Sequence, residues 1–405
     1  MSKLLEGIKV VEMGTFMAIP VVARLLADWG AEVIKVEPPS GEPWRSIGNS
    51  YGVSYTPDCN PIFQVPNGNK RSIALDLKQE SGREIMDKLL SDADIFLTNT
   101  RQRALRKLGY DYEQIKDKYP EMIFAHFSGY GPEGPDRNLP GYDIASYWAK
   151  AGMPLEWSTT EGGPFRPLPG FGDTTVATVI LSGVLAALYS RNKTGMGDFV
   201  QSSLYGSALW FNNCGLVSAQ YQEKSYPRSR YEQPTVYHII YATADQDYFT
   251  FSATKWDDMY EDILKELHLE QYIGDPRFVT LQATRNYLKE VVPILDQVFK
   301  QMSTQEVRDM FVRLDVVNEF LTNPKDVVND EQAWANEYLS RVVLENKDEL
   351  VLPTSPVKFS NGDTLPFSLA PQLGADSIGI LREHGYSEDV IKTMLADRVI
   401  VSYGN

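Results

Sequence analysis

The chain has 405 residues, 43% of them hydrophobic and 23% charged, which excludes a mainly disordered state and supplies a core that needs no disulfide or metal staple. The formal net charge of −15 argues against nucleic acid or an anionic membrane as a partner, while leaving room for one small anionic ligand at a local basic cluster. Cys59 and Cys214 by themselves build no zinc spacing and no disulfide framework, so no metal site is expected and a reducing cytoplasm is the expected setting.

In chain order, residues 1–9 lack the apolar run of a signal peptide. Residues 8–13 (IKVVEM) read as a buried strand, 20–29 as a helix stopped at Gly30, and 31–37 (AEVIKVE) as a second strand ended by Pro38 and Pro39. This unit has the length of a right-handed parallel crossover. Residues 72–77, 94–97 and 122–127 are further predicted strands, and 81–93 is a helix with Ile85, Leu89 and Leu90 on one face. Alternation of this kind predicts an α/β fold with a parallel sheet between helices. The strongest helix pattern is 173–190; its apolar centre, 176–189, falls short of the ~20 residues of a membrane span and reads as buried in protein. A strand at 199–203 and a helix at 208–220 follow. The polar stretch 221–234, with Pro227 and Pro234, reads as a linker. Beyond it the texture changes to a hairpin (236–242 with 247–253) and helices near 255–268, 286–301 and 304–314, a separate small block. A helix near 331–339, a polar loop region and helices near 374–384 and 387–396 complete the chain.

No H-E-x-x-H, G-x-x-x-x-G-K-[ST] or G-x-S-x-G pattern occurs. Gly129, Gly131 and Gly134 satisfy G-x-G-x-x-G after a strand, which is the basis for a nucleotide-dependent oxidoreductase. Pro132 and Pro135 interrupt that loop, however, and 136–140 has no helical pattern to hold a pyrophosphate, so a proline-glycine turn is preferred. His126 reads as a satisfied core residue. Lys70 and Arg71, with Arg101, Arg103, Arg106 and Lys107, form a basic island beyond strand ends, where open α/β sheets bind ligands. The island reads equally as a polyphosphate grip and as a solvated helix face. In Gly170-Phe171-Gly172-Asp173 the glycines permit close backbone approach, and Asp173 stands at the head of the long helix. Capping alone explains Asp173; the functional alternative is a carboxylate kept ionised by the helix dipole and used as a nucleophile.

A series of short segments extends over nearly the whole chain. It runs through Leu5-Glu6-Gly7-Ile8-Lys9-Val10, then 27–37 (ADWGAEVIKVE), Asn69-Lys70-Arg71-Ser72-Ile73 and Leu75-Asp76-Leu77-Lys78. It continues through Ala93-Asp94-Ile95 with Asn99, Ser128-Gly129-Tyr130-Gly131, Gly172-Asp173, Lys193-Thr194-Gly195 and Pro371-Gln372-Leu373-Gly374. In order and spacing the series resembles the family III CoA-transferases, the formyl-CoA and carnitine CoA-transferase family. The resemblance implies a large Rossmann-like domain with a parallel sheet, built from both chain ends, a smaller α+β domain between them, and an interlocked-ring homodimer. The expected layout is 1–220 for the first part of the large CoA-binding domain, 221–235 for a linker, 236–325 for the small domain, and 326–405 for a second linker and the rest of the large domain.

The resemblance also implies roles. Asp173 matches the family's catalytic aspartate, which forms an acyl anhydride and then an aspartyl-CoA thioester, with backbone N–H groups near Gly170–Gly172 available to oxyanions. The CoA contacts carry over to Met17 and Ala18, to Leu75, Asp76, Leu77 and Lys78, and to Asn99, Thr100 and Arg101. Lys107 replaces a family arginine, and Tyr142 matches a tyrosine near the pantetheine. Coenzyme A thioester is then a substrate and no cofactor is bound permanently. Pro38 replaces an adenine-stacking arginine and Pro140 a lysine, and Tyr231-Glu232-Gln233-Pro234 lies where a glycine-run loop covers the formyl-CoA enzyme, so oxalate is not the expected acceptor. Asn99-Thr100-Arg101, 127–131 (FSGYG), 169–173 (PGFGD) and 331–336 (EQAWAN) look like the clostridial (R)-2-hydroxyacyl CoA-transferases. That likeness implies transfer from an acyl-CoA or enoyl-CoA to a small carboxylic acid of the 2-hydroxyisocaproate or phenyllactate type in amino-acid fermentation, ahead of a 2-hydroxyacyl-CoA dehydratase. Phe16, Trp148, Trp210 and Phe211 read as ordinary core, with acyl-pocket lining as the alternative. Two rivals share the CoA site. An acyl-CoA racemase needs a base where this chain has Tyr142-Asp143, and tyrosine with an ordinary pKa of ~10 is a poor one. A silent CoA-binding scaffold would form no covalent intermediate.

Overall fold

A computed structural model describes residues 3–56, 59–221 and 225–404. Residues 222–224 of the expected linker lie outside the described residues. The chain divides into two compact units, one of Met1–Ala151, Pro167–Asn213 and Glu331–Asn405, the other of Gly152–Arg166 and Cys214–Asp330.

The first unit is built on β1 (Lys9–Met13), β2 (Glu32–Glu37), β3 (Arg71–Leu75), β4 (Ile95–Thr98), β5 (Ile123–Ser128) and β6 (Phe199–Ser203). These pair in parallel in the order β3-β2-β1-β4-β5-β6, and the short strand Ile400–Val401 adds antiparallel to β3 to complete seven. Val10 registers against Val33 on one side and Ile95 on the other. Alternate residues serve opposite faces. Val11, Met13, Ile34, Val36, Ile73 and Leu75 share one core with Ile85, Met86 and Leu89 of the helix Glu80–Ser91 and with Ile380, Leu381 and Ile391 near the C-terminus. The out-of-phase residues include Glu12 and Lys35, both fully buried, on the face covered by the helix Ala18–Asp28. The helix Phe171–Thr194 is by length and composition long and apolar enough to cross a membrane. Here it packs against Ala18–Asp28 and β6 and buries Val176, Ile180, Val184 and Leu188, as a core helix does.

The second unit has its own core around Tyr241, Phe249, Trp256, Val291, Phe299 and Phe311. Its antiparallel sheet is β7 (Tyr241–Ala242), β8 (Tyr248–Ser252) and β9 (Val317–Phe320). The predicted hairpin is shorter than its pattern because Val236–His238 winds into a 3-10 turn, and β9 was not anticipated. Residues 152–166 join this unit, whereas the sequence assigned them to the large domain: Thr159 bridges Arg228, and the Ser229 hydroxyl donates to Glu161 at 2.6 Å. In the C-terminal segment the predicted helix shrinks to Glu331–Ala335, and the supposed polar loop holds a hairpin of β10 (Leu339–Val343) and β11 (Glu349–Pro353). The predicted helix at 208–220 is two helices, Leu204–Phe211 and Asn213–Ala219; the first starts early because the Ser203 hydroxyl caps it through the Gly206 N–H.

Candidate active site

The strand order reverses between β1 and β4, and ligands of open α/β sheets settle beyond the strand ends at such a point. A cavity of about 640 Å³ lies there, walled by the turns that follow β1, β4 and β5. Among the expected site residues, Ala18, Asn99, Thr100, Arg101, Tyr142 and Asp173 line it. A smaller cavity of about 240 Å³ is lined by Leu75, Asp76, Leu77 and Lys78 together with Pro38. Thr15 and Thr100 border both spaces, so the two expected groups of CoA contacts adjoin.

Two expected residues stand apart. Lys107 is exposed on the helix Gln102–Leu108 and lines neither cavity, although its neighbour Leu108 lines the smaller one. Met17 is buried at the entry to the helix Ala18–Asp28. Asn99 borders the cavity, but its amide is engaged with protein: Thr15 N–H donates to Asn99 Oδ1 at 2.9 Å, and Asn99 Nδ2 donates to the Thr15 carbonyl at 2.8 Å.

The basic island dissolves into three parts. Lys70 is buried, donating to Glu12 at 2.7 Å, to the Pro20 carbonyl and to Asn67. Arg71 is engaged with Glu32 and Glu383, and Arg106 with Asp111. Arg101 and Arg103 line the large cavity, where Arg137 joins them.

Asp173 is not the helix cap. The cap position is Gly170, at φ +106, and Asp173 is the third helical residue. Its side chain has no hydrogen bond among the described residues, so capping does not explain it. The helix N-terminus favours its anion, yet loss of solvent outweighs that and, with the nearby Asp143 charge, pushes its pKa up to about 7. The helix dipole expected to keep this carboxylate ionised is thus opposed by burial and by Asp143.

Asp143 is the acid whose charge acts on Asp173, a relationship the sequence did not show. It heads a wide π-helical turn, Asp143–Ala149, and accepts the Gly170 N–H through Oδ2 at 2.5 Å. Burial raises its pKa as well. A Cβ on Gly172 would sit 2.2 Å from Asp143 Oδ1 and 2.5 Å from the Tyr147 ring, so this glycine admits protein rather than ligand. The Gly170 N–H is committed to Asp143 and is not free for an oxyanion. Only its place beside Tyr142 marked Asp143 in the sequence.

His126 is also at the cavity rather than in sealed core, its Nε2 3.0 Å from the Thr100 carbonyl, and burial holds its pKa below the ordinary value. After β5, no helix follows Gly129-x-Gly131; the Gly131 N–H turns back onto the Ser128 hydroxyl at 3.0 Å. Gly129 and Gly141 pack backbone to backbone, since a Cβ on Gly129 would lie 2.6 Å from the Gly141 Cα. Of the aromatic candidates, Phe16 lines the cavity and Trp148 is buried, whereas Trp210 and Phe211 are exposed rather than core.

The profile of CoA-transferase family III matches residues 5–377 of this chain. The chain belongs to this family. Family III enzymes are CoA-transferases that take CoA thioesters as substrates, and so does this transferase. It is 34% identical over 397 residues to the (R)-2-hydroxy-4-methylpentanoate CoA-transferase of Clostridioides difficile, covering 98% of this chain and 99% of the relative. It is likewise 34% identical over 405 residues to the cinnamoyl-CoA:phenyllactate CoA-transferase of Clostridium sporogenes, covering 99% and 98%. Among solved structures, a CaiB/BaiF family protein from Brucella suis superposes with a TM-score of 0.81 at 25% identity, over 95% of this chain and 100% of that one.

Proposed function

We propose that this CoA-transferase moves CoA from an acyl-CoA or enoyl-CoA to an (R)-2-hydroxy acid of the 2-hydroxyisocaproate or phenyllactate type, with Asp173 as the covalent relay. The observation that carries the reading is Asp173 itself: a partly exposed carboxylate without a hydrogen-bond partner among the described residues, facing a cavity at the sheet's switch point. A carboxylate serving only the fold would be capping or paired. The names of the two clostridial relatives support the acceptor class.

In the proposed sequence the Asp173 carboxylate attacks the donor thioester carbon and expels CoA as thiolate, leaving a mixed anhydride. The thiolate then attacks the aspartyl carbonyl, releasing the donor's carboxylate and leaving aspartyl-CoA thioester. The acceptor carboxylate displaces CoA to form a second anhydride, and the thiolate attacks the acceptor's acyl carbon, freeing Asp173. Each step exchanges one acyl bond for another and consumes no other reagent. Ala18, Thr100, Arg101 and Tyr142 would hold CoA in the large cavity, and Leu75, Asp76, Leu77 and Lys78 would hold it in the small one, with Met17 and Asn99 shaping the first turns and Lys107 outside. The reading includes the two-domain layout, an interlocked homodimer, a cytoplasmic setting in amino-acid fermentation, and a 2-hydroxyacyl-CoA dehydratase as the next enzyme.

Incubating the protein with acyl-CoA and hydroxylamine tests it. The expected result is a hydroxamate mass shift on the Asp173 peptide, and loss of transfer by several orders of magnitude in a folded Asp173→Asn protein. Normal transfer by that variant would refute the relay.

A further inference from the structure

The turn after β1 holds a residue in an uncommon conformation. Phe16 has φ +63, in the left-handed region that a bulky side chain seldom adopts. Its N–H donates to Glu42 Oε2 at 2.7 Å, and the other Glu42 oxygen lies 2.7 Å from Lys35 Nζ. Lys35 also donates to Glu12 at 2.8 Å and to the carbonyl of Gly14, in the same turn as Phe16, at 3.1 Å. Lys70 takes the second oxygen of Glu12 at 2.7 Å. The Glu42 N–H donates to Glu37, whose carboxylate Arg45 holds through two bonds of 2.7 and 2.6 Å.

Glu12, Glu37 and Glu42 thus face Lys35, Lys70 and Arg45, a charge-balanced set with its carboxylates and lysines buried. Such a network is a poor source of stability, because desolvation offsets most of the attraction. What it does supply is a fixed position. The Phe16 ring lines the large cavity together with Asp173, and it packs edge-on against Tyr142 at 5.4 Å and Trp44 at 5.8 Å between centroids. Glu42 itself borders only the smaller cavity.

We propose that Glu42 is a positioning residue which, by gripping the Phe16 N–H, sets the Phe16 ring as the wall that selects the acyl group in the Asp173 cavity. This rests on the reading of that cavity as the acyl-CoA site. A left-handed turn left to itself would relax, because an L side chain is strained there. The ring would then leave Tyr142, and the wall would lose its place while Asp173, on a separate helix, kept its own.

The test is steady-state transfer with straight, branched and aromatic acyl-CoA donors. Glu42→Ala is expected to raise donor KM roughly tenfold, the scale of one lost hydrogen bond to a charged group, and to flatten selectivity among donors, with kcat within about threefold. Glu42→Gln, whose amide oxygen still accepts the Phe16 N–H, is expected to recover most of the affinity. In a Phe16→Gly background, where the backbone is free at positive φ and the ring is gone, adding Glu42→Ala is expected to change KM less than about twofold. Unchanged KM and selectivity in Glu42→Ala, or additive effects in the double variant, would overturn the proposal. If Glu42→Ala does not fold, Glu42→Asp takes its place: it keeps the buried charge but, one methylene shorter, withdraws from the Phe16 N–H, and an unchanged KM there overturns the proposal equally. Asp173→Asn run alongside separates the two readings. Full transfer by Asp173→Asn removes the site assignment itself, whereas an inactive Asp173→Asn with silent Glu42 variants removes only the role of Glu42.

Discussion

Asn99 and Thr15 exchange two hydrogen bonds across the point where the strand order reverses, Thr15 N–H to Asn99 Oδ1 at 2.9 Å and Asn99 Nδ2 to the Thr15 carbonyl at 2.8 Å. One side chain thereby ties the turn after β4 to the turn after β1, 84 residues away. Asn99→Ala is expected to leave both Thr15 groups without these partners and to lower stability by about 1–3 kcal/mol. Donor KM should rise with it, because both turns line one cavity. Urea unfolding and steady-state kinetics check this; a variant with unchanged KM would make Asn99 a stabilising residue only.

The Asp143 charge helps to raise the Asp173 pKa. Asp143→Asn removes that charge while its side-chain oxygen still accepts the Gly170 N–H. The acid limb of the kcat profile should therefore move to lower pH, by roughly half a unit to one unit. A limb that stays in place would mean that burial alone sets the Asp173 pKa, or that another group controls the limb.

Asp173 should lower stability in the service of reactivity. Its pKa in the folded protein is about 7, above the ordinary 3.8. Ionisation is thus easier in the unfolded chain, and stability is lost as pH rises between those two values. Asp173→Asn escapes that loss, so its gain over the native protein should be small near pH 4 and full above pH 7. Discounted for partial exposure, the full gain is on the order of 1–2 kcal/mol, or a few degrees in Tm. Thermal unfolding at pH 5 and pH 8 checks it; equal Tm differences at both pH values would contradict the raised pKa.

Arg101 lines the large cavity, whereas Lys107 lies outside both. Arg101→Ala should weaken donor binding by roughly tenfold to a hundredfold with kcat largely kept, as a phosphate grip is uniform binding. Lys107→Ala should raise KM by less than about threefold, since an exposed cation acts only through a screened field. Calorimetric binding of CoA to both variants decides this, and equal losses would place Lys107 on the ligand.

Much of this protein was legible in its sequence because the relevant information is local. The runs at β1, β2, β4 and β5 alternate or concentrate apolar residues over a few positions, and the helix at 171–194 carries its pattern within itself. The glycines and Asp173 stood out for the same reason, and the order of short segments carried the family resemblance. What only the tertiary structure decided depends on partners far along the chain. Lys70 looks like a surface cation until Glu12, 58 residues away, takes it into the core. Asp143 is marked in the sequence only as the neighbour of Tyr142 until the fold sets it against Gly170 and Gly172. Strand β9 has no pattern that outweighs its neighbours, and it becomes a strand because Phe249 and Phe251 in β8 offer it an edge. Composition and periodicity specify which backbone states are accessible to a segment; whether a charge is buried, a glycine is crowded or a carboxylate is left unpaired is set by what the folded chain brings within a few ångströms of it.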